Sequence, residues 1–210
     1  MYADQTGSRH IESETVARTD TTPRERVLEA AETCFMARGY AAVTLRDIAA
    51  TVGIKHTSLY HHVPGGKEAL FVEVLERCLD RHLHGLTESV LRVEPNLRSR
   101  LHAAAEWFLG QAPMDLVRLT RSDMPALSSA SAERLSRLTY ESILVPVEQI
   151  LRHACDAGEI GPVEFGLVAG GIVGMIQSLF SVPDYAVAGT RLTMGKALVD
   201  VFIDGIAGSA

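Results

Sequence analysis

From Thr44 to Lys67 the chain reads Thr-Leu-Arg-Asp-Ile-Ala-Ala-Thr-Val-Gly-Ile-Lys-His-Thr-Ser-Leu-Tyr-His-His-Val-Pro-Gly-Gly-Lys, and few backbone paths suit that order. Thr44 followed by Asp47 predicts a helix start in which each side chain takes a backbone N–H that has no partner inside the helix. Gly53 predicts its end, because a left-handed backbone costs glycine nothing, and Lys55 to Thr57 then open a second helix at a steep angle. Leu45, Ile48, Val52, Ile54 and Leu59 fall on the inward side, and Ala49 stands at the crossing, where a methyl group lets the two backbones approach. The outward side of the second helix carries Lys55, His56, Thr57, Ser58, Tyr60 and His61, which are hydrogen-bonding groups without a carboxylate. Such a helix-turn-helix face suits the major groove of DNA.

The stretch from Arg26 to Leu70 contains Ala-Ala-Glu-Thr-Cys-Phe, Arg-Gly-Tyr, Thr-Leu-Arg-Asp-Ile-Ala, Ser-Leu-Tyr-His-His-Val and Lys-Glu-Ala-Leu, in that order. It resembles the DNA-binding domain of the TetR family of transcriptional repressors. One departure is Pro64-Gly65-Gly66, which makes the link before Lys67 one residue longer than the commoner family link. The resemblance covers the N-terminal third and implies an all-α chain of about nine helices. In it, a three-helix head, residues 21–66, stands on a ligand-binding and dimerisation body, residues 67–210. It implies phosphate contacts by Tyr60 and Lys67, base reading by His56, Thr57 and His61, and further backbone contacts by Thr44, Arg46 and Ser58, with Lys55 on the same face. His62 reads instead as a packing residue.

The formal charge of −6 over 210 residues sits poorly with DNA binding until it is divided along the chain. From Arg24 to Lys67 the cations Arg24, Arg26, Arg38, Arg46, Lys55 and Lys67 outnumber Glu25, Glu29, Glu32 and Asp47, so the head is net basic on an acidic body. Cys34, Cys78 and Cys155 are far apart and lack Cys-x-x-Cys spacing, which suggests neither a disulfide framework nor a zinc knuckle and fits a reducing cytoplasm. Residues 1–20 are mostly polar, with too few large apolar residues to offset the entropy of ordering, and are predicted to be a disordered arm carrying Arg9 and Arg18.

Thr22-Pro23-Arg24-Glu25 predicts the start of a first helix that carries Val27, Leu28, Ala31, Cys34 and Phe35 inward and ends at Gly39. Apolar residues from Leu70 to Leu86 predict a long helix over 67–91. Pro95, Pro113 and Pro125 punctuate two shorter helical patterns, Ser128-Ser129-Ala130-Ser131 reads as a loop, and a helix over 132–157 is expected to bend at Pro146 and stop at Gly158. The segment from Gly166 to Val182 is apolar nearly all round, yet it is short for a bilayer and contains Gln177 and Ser178, so no membrane span is expected. A helix of that kind needs cover from outside its own chain. Gly170, Ile172 and Gly174, with Phe202 from a final helix carrying Leu198, Val201 and Ile206, are therefore expected to form a homodimer interface.

The eight histidines do not group as metal ligands: His82 and His84 point to different sides of a helix, as do His61 and His62, and Cys78 of the Cys78/His82 pair lies in an apolar stripe. No nucleophile elbow, Walker loop or dinucleotide fingerprint is present, so neither enzyme activity nor a cofactor is expected. Trp107, Phe108, Met114, Met124, Tyr140 and Met175 are the bulky residues that the resemblance places around a small-molecule cavity, although such side chains fill cores equally well. The expected function is a cytoplasmic, homodimeric repressor that binds a near-palindromic double-stranded operator and is released by a small, largely apolar effector. The alternative is a helical small-molecule-binding protein or enzyme whose helix-turn-helix no longer binds DNA.

Overall fold

The computed structural model describes residues 22–187 and 189–207, side chains of 206 and 207 excepted. The expected arm at 1–20, with Arg9 and Arg18, lies outside the described residues, as does the side chain of Ile206. Every element among the described residues is helical, and nine α-helices have seven residues or more. Helix α1 is Pro23–Ala42; the Thr22 hydroxyl accepts from the Glu25 N–H at 3.2 Å, and Gly39, at φ +79°, breaks the path before a last short turn. Helix α2 is Leu45–Val52, and both arms of its capping box are made: Asp47 N–H donates to Thr44 Oγ1 at 3.2 Å and Thr44 N–H to Asp47 Oδ2 at 2.8 Å. Gly53 is left-handed and its N–H closes on the carbonyls of Ala49 and Ala50, after which α3 is His56–His62. Ile48, Ala49 and Leu59 are buried between them.

Helix α4, Gly66–Leu91, is about 39 Å long at 1.5 Å per residue and belongs to both halves. Its head end holds Phe71 edge-on to Phe35 and to Tyr40, each with ring centroids 5.0 Å apart. Burying rings of this size stabilises by about 1.5–3 kcal/mol each. Helix α5 is Leu97–Gly110, capped by Asn96. The path then passes through a single turn α6, Leu116–Arg118, a π-turn Leu119–Asp123 and a 3-10 turn Met124–Ala126.

The predicted loop at Ser128–Ser131 is instead the start of α7, Ser129–Thr139: Ser128 is its N-cap, and Glu68 of α4 accepts from the hydroxyls of Ser128 and Ser131. A π-turn, Tyr140–Leu144, joins α7 to α8, Val145–Asp156. The proline ring at 146 would press on the carbonyl four residues back in a regular α-helix, and the wider turn gives it room where the sequence predicts a bend. Helices α9, Phe165–Ser178, and α10, Arg191–Ala207, complete the body. No helix among the described residues is long and apolar enough to cross a membrane.

Ala169, Ile172, Val173 and Ile176 of α9 are buried in the chain's own core. Ile172, 1% exposed, is therefore not a surface residue as expected: it faces inward, and the opposite side of the helix is the free one. A Cβ built at Gly170, Gly171 or Gly174 meets nothing within 4 Å, and Leu167 on α9 and Val201 on α10 are 75% and 71% exposed. Phe202 is half-buried against the core.

Candidate nucleic-acid interface

Thr44, Arg46, His56, Tyr60 and Lys67 line one concavity of about 460 Å³ together with Val43 and Leu45. Three elements bring them there: the start of α2 with its cap, helix α3 and the first turn of α4. Along α3, Lys55, Thr57 and His61 are exposed and Ser58 is half-buried. His56 and Tyr60, one helical turn apart, stand edge to face with centroids at 5.1 Å, so each ring fixes the other's direction. Tyr60 is 52% exposed, a large side chain for open water. His62 is half-buried, in keeping with a packing role.

The cations at this concavity are not held in close ion pairs. No carboxylate among the described residues lies within 4 Å of Arg46, Lys55 or Lys67, whereas Arg24, Arg77 and Arg81 are each paired across α1 and α4 with Glu73, Glu25 and Glu32. Lys67 Nζ sits 4.2 Å above the Tyr40 ring. Partial burial pushes its pKa down, and the nearby charges of Asp123 and Asp47 oppose that shift. Hydrogen bonds from Thr44 hold the Asp47 carboxyl below the usual range, with Arg38 adding to the effect. Thr44 Oγ1 donates its proton to Asp47 Oδ2 at 2.8 Å, so a contact from this hydroxyl to phosphate would have to replace that hydrogen bond while leaving both arms of the cap in place.

Three residues that the sequence reading does not single out as site residues join the interface to the body. Asp123, 4% exposed, accepts the N–H of Tyr40 at 2.8 Å. Arg118 donates to the carbonyls of Met36 at 2.6 Å and Phe35 at 3.3 Å, and its Nε lies 3.5 Å from Asp123. A side chain at Gly39 would press on this pair, its Cβ 2.9 Å from Asp123 Oδ1 and 3.1 Å from the Arg118 stem.

The six expected pocket residues do not meet in one space. Trp107 packs on Gly85 and donates from Nε1 to His82 Nδ1 at 3.3 Å; Phe108 is buried beside the same histidine. Burial lowers the pKa of His82 to about 4, so at neutral pH the ring is uncharged and can accept. Met114 lines a void of about 10 Å³ with Phe35 and Phe71, and Met124 Sδ lies 3.0 Å from the Ser136 hydroxyl. Tyr140 is 45% exposed with its hydroxyl donated to the buried Glu148, and Met175 is half-buried on α9. Larger spaces lie elsewhere. A groove of about 660 Å³ runs along the seam between α1, α4 and residues 112–113, and a cleft of about 100 Å³ lies between Thr87, Val90, Arg100, Ile150 and His153. No group of three metal-ligating side chains is gathered among the described residues.

Residues 27–74 match the model of the family described as bacterial regulatory proteins, tetR family. Over 57 residues the chain is 47% identical to the transcriptional repressor KstR2 of Mycolicibacterium smegmatis, a match spanning 27% of each protein. It is 36% identical over 85 residues to the transcriptional activator FasR of the same organism, covering 40% of this chain and 38% of FasR. The matches thus span well under half the length of these curated relatives. Among solved structures, that of AibR in complex with isovaleryl coenzyme A and operator DNA superposes with a TM-score of 0.69 at 19% identity, over 85% of this chain and 96% of AibR. At that identity the likeness concerns the fold.

Proposed function

We propose that this chain, a member of the tetR family of bacterial regulatory proteins, is a homodimeric transcriptional repressor. In this reading it binds a near-palindromic operator through α3 and is released by a small, largely apolar effector. The observation that carries the reading is the concavity itself: His56 and Tyr60 of α3 line it with Arg46 and Lys67, and neither these two cations nor the exposed Lys55 at the start of α3 has a carboxylate among the described residues within 4 Å. In this reading Lys67 and Tyr60 contact phosphates, His56, Thr57 and His61 read base edges, and Arg46 and Ser58 contact the sugar-phosphate backbone.

Homodimerisation is supported by the open glycine side of α9 and by Leu167 and Val201, apolar side chains left in water. Two heads related by a two-fold axis would read half-sites one or more helical turns apart. Repression has a precedent in KstR2, and a complex of this fold with both a small molecule and operator DNA has one in AibR. An effector acts only through unequal affinity for the DNA-competent and DNA-incompetent forms. Helix α4 is suited to transmit that difference, because Lys67 opens it and Val90, at its far end, lines the cleft with Ile150 of α8. Binding to an operator would place this activity in the cytoplasm.

The test is fluorescence anisotropy with duplex DNA from upstream of the chain's own coding region and with a random duplex of equal length, each at several salt concentrations. The expected result is tighter binding to the upstream duplex, with affinity falling by about 0.9 log units per log unit of salt for each phosphate contacted. Equal affinity for both duplexes, or binding that ignores salt, would overturn the proposal.

A further inference from the structure

We propose that Asp123 is a positioning residue for the phosphate contact of Lys67, acting from the body through Tyr40. The inference rests on the reading of Lys67 as a DNA contact, and its first test below does not depend on that reading. Lys67 has no carboxylate to fix its direction; what it has is the ring of Tyr40, 4.2 Å beneath its ammonium group. The ring is held by Phe35 and Phe71, but those contacts leave the backbone of Tyr40 to be placed. Tyr40 follows Gly39, where the helical path of α1 is broken at φ +79°, so its N–H has lost the acceptor that a continuous helix would supply.

Asp123 supplies that acceptor across 83 residues of sequence, at 2.8 Å. It does so from the π-turn Leu119–Asp123, and Arg118, one residue before the turn, grips the carbonyls of Phe35 and Met36 on the same end of α1. The absence of a side chain at Gly39 lets the carboxylate approach. A body segment and a DNA-facing ammonium group are thereby joined through two contacts, Asp123 to the Tyr40 amide and the Tyr40 ring to Lys67. Any shift of residues 116–126 that withdraws Asp123 frees the Tyr40 backbone and lets Lys67 leave its ring. The phosphate contact is then lost without a change in the reading surface of α3.

The role of Asp123 here is that of a hydrogen-bond acceptor, and its charge works the other way, since a carboxylate near Lys67 subtracts from the potential that attracts phosphate. The two contributions separate in variants. Asp123→Asn keeps an acceptor for the Tyr40 amide and removes the charge, whereas Asp123→Ala removes both; Asp123→Ser, too short to reach the amide, replaces Asp123→Ala if that variant does not fold. The first measurement is the proton chemical shift of the Lys67 ε-methylene, which the Tyr40 ring displaces upfield. We expect Asp123→Asn to retain the displacement and Asp123→Ala to lose it.

The second measurement is DNA affinity against salt for the full chain. Asp123→Ala should weaken binding to upstream and random duplexes alike by roughly tenfold and make the log–log slope shallower by about 0.9, the loss of one phosphate. Asp123→Asn should bind at least as tightly as the parent. Adding Asp123→Ala to Lys67→Ala should cost nothing further, because the two act on one contact. A methylene shift unmoved by Asp123→Ala, or additive losses in the double variant, would overturn the inference. If the parent chain binds no DNA while the methylene shift still follows Asp123, the DNA reading fails and the positioning role stands.

Discussion

Trp107 lies against the bare backbone of Gly85: a Cβ at that glycine would come within 1.9 Å of Trp107 Cη2 and 2.1 Å of Cζ2. The indole therefore occupies the space that any side chain at this position of α4 would need. It also reverses the usual expectation for glycine in a helix. Gly85→Ala would gain about 1 kcal/mol of helix propensity but force the indole off its seat, and overpacking of that kind costs about 1–3 kcal/mol. We expect a lower Tm in thermal denaturation and a red-shifted Trp107 emission; a stabilised variant would show that the ring relocates freely.

His82 gives the body a pH dependence. Its pKa in the fold, about 4, lies below the 6.5 of an unstrained histidine, so the unfolded chain binds a proton that the folded chain refuses. The stabilisation is full above pH 6.5 and falls as pH drops toward 4, by up to about 3 kcal/mol. His82→Gln cannot titrate and still offers an acceptor to Trp107 Nε1. Its Tm should therefore decline less than that of the parent between pH 6.5 and 4, and parallel declines would contradict the assignment.

Reading and anchoring should separate at the interface. His56→Ala should relax preference at one or two base pairs by about 1–3 kcal/mol while leaving the salt slope intact. Lys67→Ala should weaken every sequence alike and flatten that slope. Binding profiles over a set of single-base operator variants distinguish the two, and indistinguishable profiles would remove the base-reading role from His56.

Gly174 has open space beyond it in the isolated chain, so an arginine there should leave the fold intact. If α9 is the dimer face, Gly174→Arg should sediment as a monomer with unchanged helicity. A parent chain that is already a folded monomer at micromolar concentration, or a variant that stays dimeric, would refute the interface.

For the effector, linkage sets the check. Whatever factor the effector takes from operator affinity, operator must take from effector affinity. Calorimetric titration of an inducing compound with and without operator should show that reduction, and equal affinities would eliminate release by this route.

The head was legible in the sequence because its signals are local. The Thr44–Asp47 box and the left-handed Gly53 each lie within a few residues of what they control. Ser128–Ser131 misled for the same reason: small polar residues satisfy the composition of a loop and the chemistry of a cap, and the deciding partner, Glu68, is 60 residues away. Ile172 went astray because α9 is apolar on every side; only the packed fold shows that Ala169, Ile172, Val173 and Ile176 make the inner stripe. The bulky residues proposed for a pocket carried no direction in the sequence, and Tyr140 proves to be committed to Glu148. Arg118 and Asp123 had no signal at all, since their meaning lies in the end of α1.

The two π-turns bear on how the chain tolerates changes in length. A π-turn closes its hydrogen bond one residue later than an α-turn, so it stores an extra residue while the side chains that follow keep their facing. Deleting the exposed Glu141 from Tyr140–Leu144 would let the turn revert to regular winding with Val147, Ile150 and Leu151 still directed at the core. A deletion within α8 would rotate everything beyond it by about 100°. At Leu119–Asp123 the stored residue cannot be given up so easily, because the span from Arg118 to Asp123 fixes how both reach α1. Of the two π-turns, only Tyr140–Leu144 could give up its extra residue without moving a contact to α1.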